Sequence, residues 1–169
     1  MEFALILPFL LILLIGMSET TTALNTDRKV SQVASSVADL VAQTETVNSS
    51  EVSNIMKAAD AIMDPYDSSV LKVTIASIGF DDEGKAEVLW SVDQDGSTPT
   101  SWVKGQTPPI DIPETIAIPD TTLIVGKTSY VHVPMFASLV QNIFPRATSI
   151  LMGDTYFLRP RLSTEVTFE

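Results

Sequence analysis

The chain has 169 residues, 45% of them apolar, and a formal charge of −11. So acidic a chain argues against nucleic acid or anionic headgroups as its main partner. The absence of cysteine removes disulfides, thiolate metal sites and cysteine nucleophiles together, and a metal cluster or Ser-His-Asp triad would have to rest on the single histidine, His132.

Residues 3–17 form an uninterrupted apolar run between two acids, Glu2 and Glu19. Two of the 21 acids and none of the 10 bases fall in residues 1–19, which leaves 19 acids against 10 bases downstream, a formal −9. A cleaved secretory signal needs a basic start and a small-residue cleavage site. Here Glu2 follows Met1 at once, and no Ala-x-Ala-like site follows Met17. A core helix this uniformly apolar is rare in so small a domain. A membrane helix fits best, yet fifteen residues reach only roughly 22 Å against a hydrocarbon core of ~30 Å. Either residues 20–24 extend the span and draw Glu19 toward lipid, or further residues precede Met1. An acid in a membrane segment is costly and usually has a partner. Glu2 is expected either to meet a positive group of a neighbouring subunit or to sit at the membrane edge. Pro8 removes one helix hydrogen bond and predicts a mild kink. The first bases after the run are Arg28 and Lys29, so the downstream flank is expected to face away from the cytoplasm.

Residues 20–46 contain neither Pro nor Gly. Val30, Val33, Ala34, Val37, Leu40 and Val41 recur at three- and four-residue steps, predicting that the first helix runs on as an amphipathic one. Asn48-Ser49-Ser50-Glu51 supplies a cap and an acidic first turn for a second helix. Val52, Ile55, Met56, Ala59 and Met63 share one side of it, and Asp64-Pro65-Tyr66-Asp67 ends it.

From Ser69 the period changes to two. Leu71, Val73 and Ile75 fall on one strand face, with Lys72 and Thr74 opposite. Asp81-Asp82-Glu83-Gly84 predicts a hairpin turn into a strand at 86–92, with Val88, Trp90 and Val92 aligned. Residues 93–121 hold Pro99, Pro108, Pro109, Pro113 and Pro119, and are expected to form a long surface loop that either contacts a partner or is a neutral insertion. A third strand is expected over residues 122–133, with Leu123, Val125, Val131 and Val133 favouring one face. A short apolar helix or turn follows at 134–145. A last strand covers 155–161, where Pro160 marks an edge or end.

Residues 2–19 resemble the amino-terminal signature of TadE-like pseudopilins of the bacterial tight-adherence pilus. That signature is an acid, an apolar Ala-Leu-x-Leu-Pro run, then a Gly and a second acid. Glu2, Pro8, Gly16 and Glu19 stand at its characteristic positions. Residues 130–161 are similar to the family's carboxyl end, a Val-rich strand, a Pro-containing apolar segment and an aromatic strand closing on Arg159-Pro160-Arg161. The family's members carry a basic leader before the first acid, so the same is expected upstream of Met1. The resemblance implies an assembly and register role for Glu2, Pro8, Gly16 and Glu19. Arg159, Pro160 and Arg161 are candidate interaction residues, through carboxylates of this domain or of a neighbour.

Other sites are weaker. Asp93-Gln94-Asp95-Gly96 puts Trp102 where a calcium loop needs a bidentate Glu, so a solvated turn is expected. Asp81, Asp82 and Glu83 read as a wet turn, and His132 as a surface or strand-pairing residue. No phosphate loop, nucleophile elbow or HExxH pattern occurs. The expected fold is α+β and pilin-like: a long amino-terminal membrane helix continuing into an amphipathic helix, a second helix, then a small antiparallel sheet. Residues 1–24 would be the anchor and 25–169 an extracytoplasmic domain that includes the 93–121 loop. The resemblance implies a minor pilin or pseudopilin of a tight-adherence pilus, not an enzyme, anchored in the bacterial inner membrane with its carboxyl-terminal domain in the periplasm or in an extracellular pilus. Its partners would be the membrane, other pilins or pseudopilins and the inner-membrane assembly machinery. No cofactor, metal, nucleic acid or small-molecule substrate is expected. The alternative is a signal-anchored periplasmic binding domain unrelated to pili, recognising its partner through the Pro-rich loop. A hydrolase using paired acids is a third class.

Overall fold

The computed structural model describes residues 2–93, 102–135 and 149–169, and every side chain among them but those of Glu2 and Ala4. Helix α1 spans Glu2–Ala42 without a break at Pro8. Its second half follows the expected stripe. Val30, Val33, Ala34, Val37 and Val41 are all buried, joined by Ala38 and Ala42. Leu40 is the exception at 42% exposed. It lies at the rim of the stripe, whose centre line runs through Val30, Ala34, Val37 and Val41.

Helix α2, Ser49–Met63, starts on a reciprocal cap. Asn48 Oδ1 accepts from the Ser50 and Glu51 amides, each at 3.0 Å, and Glu51 Oε2 accepts from the Asn48 amide at 2.9 Å. Its expected apolar side, Val52 to Met63, is the buried one. Its far end is closed from outside. Lys29 Nζ, on α1, donates to the Ile62 carbonyl at 2.6 Å and to the Asp64 carbonyl at 2.8 Å. These are carbonyls a helix end leaves without partners, and a cation there also suits the helix dipole. Lys29→Met should therefore cost about 1–2 kcal/mol in denaturant titrations of the full chain in micelles. An unchanged midpoint would mean that water serves those carbonyls equally well.

A five-stranded antiparallel sheet follows, in the order β3-β2-β4-β5, formed by β2 (Leu71–Phe80), β3 (Ala86–Asp93), β4 (Thr122–His132) and β5 (Ile150–Met152), with β6 (Thr155–Leu158) also paired to β4. The predicted hairpin turn is present. Asp81 Oδ1 accepts from the Glu83 amide at 3.1 Å and the Lys85 amide at 2.7 Å, and Gly84 takes φ 79°. Residue pairing slips by one at Leu89, between the pairs Ser77–Trp90 and Ile78–Val88. This bulge corrects the expected alignment of Val88, Trp90 and Val92. Val92 and Trp90 join the helix-side core, whereas Val88 joins the opposite one.

The centre of the sheet is buried on both faces. Helices α1 and α2 cover Leu71, Val73, Ile75, Ile124 and Tyr130. The loop of residues 102–121 covers Ala76, Ile78, Phe80, Leu123 and Val125 with Trp102, Ile110, Ile112 and Ile116. The expected free surface loop is thus a third layer. Its spaced isoleucines and one tryptophan are the apolar residues that a period-two reading skips. The carboxyl end closes the structure. A short strand, β7 (Thr167–Phe168), pairs in parallel with β1 (Thr46–Val47), between the two helices. Trp90 Nε1 donates to the Val166 carbonyl at 2.6 Å, and the Trp90 and Phe168 rings lie 5.7 Å apart. The apolar turn expected at 134–145 and the Asp93–Gly96 turn fall mostly outside the described residues.

Candidate functional site

The first half of α1 has no domain beneath it. Phe3 is 77% exposed, Phe9 67% and Met17 71%. It is the one helix among the described residues long and apolar enough to cross a membrane. A sleeve of exposed leucine, isoleucine and phenylalanine on every side is stable only against lipid or against other helices.

The polar residues that end the run are arranged to hide their polarity. Thr20 Oγ1 donates to the Gly16 carbonyl at 2.8 Å, Thr21 to Met17 at 2.9 Å and Thr22 to Ser18 at 3.0 Å. A hydroxyl bonded back to its own helix loses much of its cost in an apolar medium. A span that took these residues into lipid, 3–24, would be roughly 33 Å at ~1.5 Å per residue, long enough to cross, and would carry Glu19 with it.

Glu19 lies inside this stretch, on the stripe that continues through Ala23, Thr26 and Val30. Its side chain turns toward the domain. Oε1 is buried and has no hydrogen-bond partner among the described residues. It borders an open groove of about 500 Å³ whose other wall is Pro134 and residues 150–153. Gly16 sits a turn earlier, with nothing within 4 Å of where its Cβ would be. It forms a shallow notch among Ile12, Leu13, Met17 and Thr20, a shape that lets another helix approach closely. Pro8 lies within the continuous exposed helix. The side chain of Glu2 lies outside the described ones.

Of the carboxyl-terminal trio, Arg161 is turned back on α1. Its guanidinium pairs with Asp39 Oδ1, its backbone amide donates to the Ala42 carbonyl at 2.8 Å, and Gln43 holds the other Asp39 oxygen at 2.5 Å. Arg161 therefore closes the carboxyl end of α1. Arg159 is exposed and Pro160 half-buried. The trio and the Glu2–Glu19 signature are thus not one site. The structure places Arg161 at the end of α1 far from Glu19.

His132 is not at the surface. It faces Ile150 across the strand pair, is 7% exposed, and its Nε2 has no partner among the described residues. Among those residues no three acidic or histidine side chains gather as a metal site. A shallow groove of about 340 Å³ collects Asp81, Glu87, Asp120 and Glu165, but Asp81 is committed to the hairpin turn. Beyond the span, the titration of Asp67 and of Tyr130 is shifted. The hydroxyl and amide of Ser69 hold Asp67 below the usual carboxylate range. Burial, reinforced by Asp67 and Tyr66, pushes the Tyr130 phenol up. Both follow from local capping and packing.

Residues 1–39 match the family model described as TadE-like protein. The match ends inside α1, so the second helix, the sheet and the closing strand lie outside it. No curated protein and no solved structure matches the chain.

Proposed function

We propose that this chain is a membrane-anchored minor pilin or pseudopilin of a tight-adherence pilus, held in the inner membrane with its domain on the periplasmic side, and that it acts by helix packing rather than by catalysis. The observation that carries this reading is the TadE-like match over residues 1–39, on a helix whose first half is exposed on all sides. Such a helix has two stable environments, lipid before assembly and sister helices afterwards. The notch at Gly16 supports close helix contact. The scarcity of positive charge just past the span supports the periplasmic side. Arg28 and Lys29 are the first bases there, and Lys29 is already spent on the carbonyls ending α2. The exposed, cation-poor flank equally suits an anchored binding domain, but the covered state of the 102–121 loop weakens that alternative, which needs the loop free.

In this reading Glu2 meets a positive group, such as the amine of an adjacent subunit, and so sets axial register. Leaving that acid unpaired among packed helices costs several kcal/mol. Glu2→Gln should lower surface pili by on the order of ten-fold or more, while circular dichroism of the purified variant stays that of the parent. Normal piliation in that variant would remove the register role. Normal piliation on deleting the whole gene would remove the pilus reading itself.

A further inference from the structure

We infer that the β4–β5 end of the domain is a membrane-resting surface, inserted among the headgroups and upper acyl chains beside the exit of α1. The inference rests on the span alone and goes beyond the pilus reading.

Its level is set by the helix. In a span of residues 3–24, residues 19–24 are the last roughly 9 Å, which in a ~30 Å hydrocarbon core is the level of the upper acyl chains and the start of the headgroups. The groove beside those residues is walled on its other side by Pro134 and by residues 150–153. The β4–β5 end therefore stands at the level of the upper acyl chains and headgroups when residues 3–24 cross a bilayer.

Its chemistry fits that depth. Met135 is 77% exposed, Leu151 74%, Val133 60% and Ile150 45%. Val131 and Leu151 are cross-strand partners, so two of the exposed side chains form one patch. Leu24, on the helix wall of the groove across from Ile150 and Leu151, is 54% exposed, so apolar surface stands on both sides of the groove. Residues 129–135 and 149–153 contain no Asp, Glu, Lys or Arg, in a chain of formal charge −11. A domain so acidic is repelled by anionic lipid, so the strand end that itself carries no charge is the one able to approach a bilayer, with Glu19 and Asp27 on the helix wall of the groove beside it, and it binds by apolar insertion. Thr20, Thr21 and Thr22, with hydroxyls returned to the helix, let the same level enter lipid. In water this patch is a liability. Against lipid it fixes the tilt of the domain on its helix.

The absence of native cysteine makes the test direct. Single variants Met135→Cys, Leu151→Cys and Glu83→Cys of the full chain would each carry an environment-sensitive fluorophore in neutral phosphatidylcholine vesicles. Glu83 lies in the β2–β3 turn, at the opposite end of β4 from His132, roughly 30 Å away. A quencher attached to the upper acyl chain should quench the labels at 135 and 151 roughly two-fold or more and leave that at 83 untouched. The effect should not change with protein-to-lipid ratio. Three unquenched labels would overturn the inference, and so would quenching at 83, which means a domain lying flat. Labels at 135 and 151 that respond only to rising protein density would overturn it in favour of a second copy covering the patch. A chain that fails to enter vesicles would remove the span and this inference together, leaving the pilus reading to the piliation experiments.

Discussion

Gly126→Ala is expected to destabilise the domain by about 2–3 kcal/mol, and Gly126→Val to abolish its cooperative fold. Gly126 lies in β4 directly under α1. A Cβ there would stand 2.4 Å from the Ala34 carbonyl oxygen, 3.0 Å from the Ala38 Cβ and 3.2 Å from the Ala38 amide. The first of these is a backbone atom inside a helix and cannot rotate away, so the helix must lift. Lifting α1 loosens Val30, Val33, Val37 and Val41, all now fully packed, and stretches the hydrogen bond from Thr128 Oγ1 to the Val30 carbonyl, already 3.3 Å. Small residues on both sides, Ala34 and Ala38 above and Gly126 below, are what allow the helix to sit this close. Denaturant unfolding of the full chain in micelles, followed by Trp90 and Trp102 fluorescence, measures the loss. Gly16→Ala is the control, since its Cβ meets nothing, and its midpoint should stay at or slightly above the parent's. A Gly126→Ala midpoint equal to the parent's would mean that α1 is not seated on β4 in this way.

Gly126 also marks the limit of what the residues reveal in order. Helix signals are local, and they read well. The α1 stripe, the Asn48–Glu51 cap and the buried side of α2 are each set within a few positions. So is the Asp81–Gly84 turn, because its bonds close within five residues. A glycine in a strand carries no such mark, since its role is defined by a helix some ninety residues earlier. The bulge at Leu89 was equally hidden. Period-two counting assumes an unbroken ladder, and Gly79 opposite leaves just the room that the Leu89 side chain takes, at 3.1 Å from its absent Cβ. The strands β1 and β7 are two residues each, too short to have a period. At the candidate site, the apolar span and the Gly16 and Glu19 positions were legible from composition and motif. The turn of Glu19 Oε1 into a groove was not, because the opposite wall comes from residues 134 and 150–153.

The 102–121 loop is the sharpest case, and Trp102→Ala tests it. The variant should lose about 3–5 kcal/mol, the range for removing a large buried aromatic. Trp102 is 3% exposed and packs with Ile110, Ile112 and Ile116 over a sheet face that has no helix. The loop is also tied to the sheet edge through its backbone. The Val88 amide donates to the Gln106 carbonyl at 2.9 Å, and the Gly105 amide to the Val88 carbonyl at 2.8 Å. Ser91 Oγ reaches the Trp102 carbonyl at 2.9 Å. Gly105 holds φ 79°, which lets the chain turn between these bonds. Five prolines among residues 93–121 reduce the entropy lost in ordering so long a segment. Without the loop, Ile78, Phe80, Val88, Leu123 and Val125 would face water, the same hazard that α1 removes from the other face. The neighbouring Val103 is 51% exposed, so Val103→Ala should stay within about 0.5 kcal/mol of the parent. Hydrogen exchange separates core from ornament: in Trp102→Ala the Val88 and Gly105 amides should lose protection, while those of β2 paired to β4 keep theirs until global unfolding. Equal stability of the two variants would return the loop to the surface and with it the recognition role that its length first suggested. A large difference makes it the third layer of the domain, leaving the amino-terminal helix and the uncharged β4–β5 end as the apolar surfaces free to meet lipid or a sister subunit.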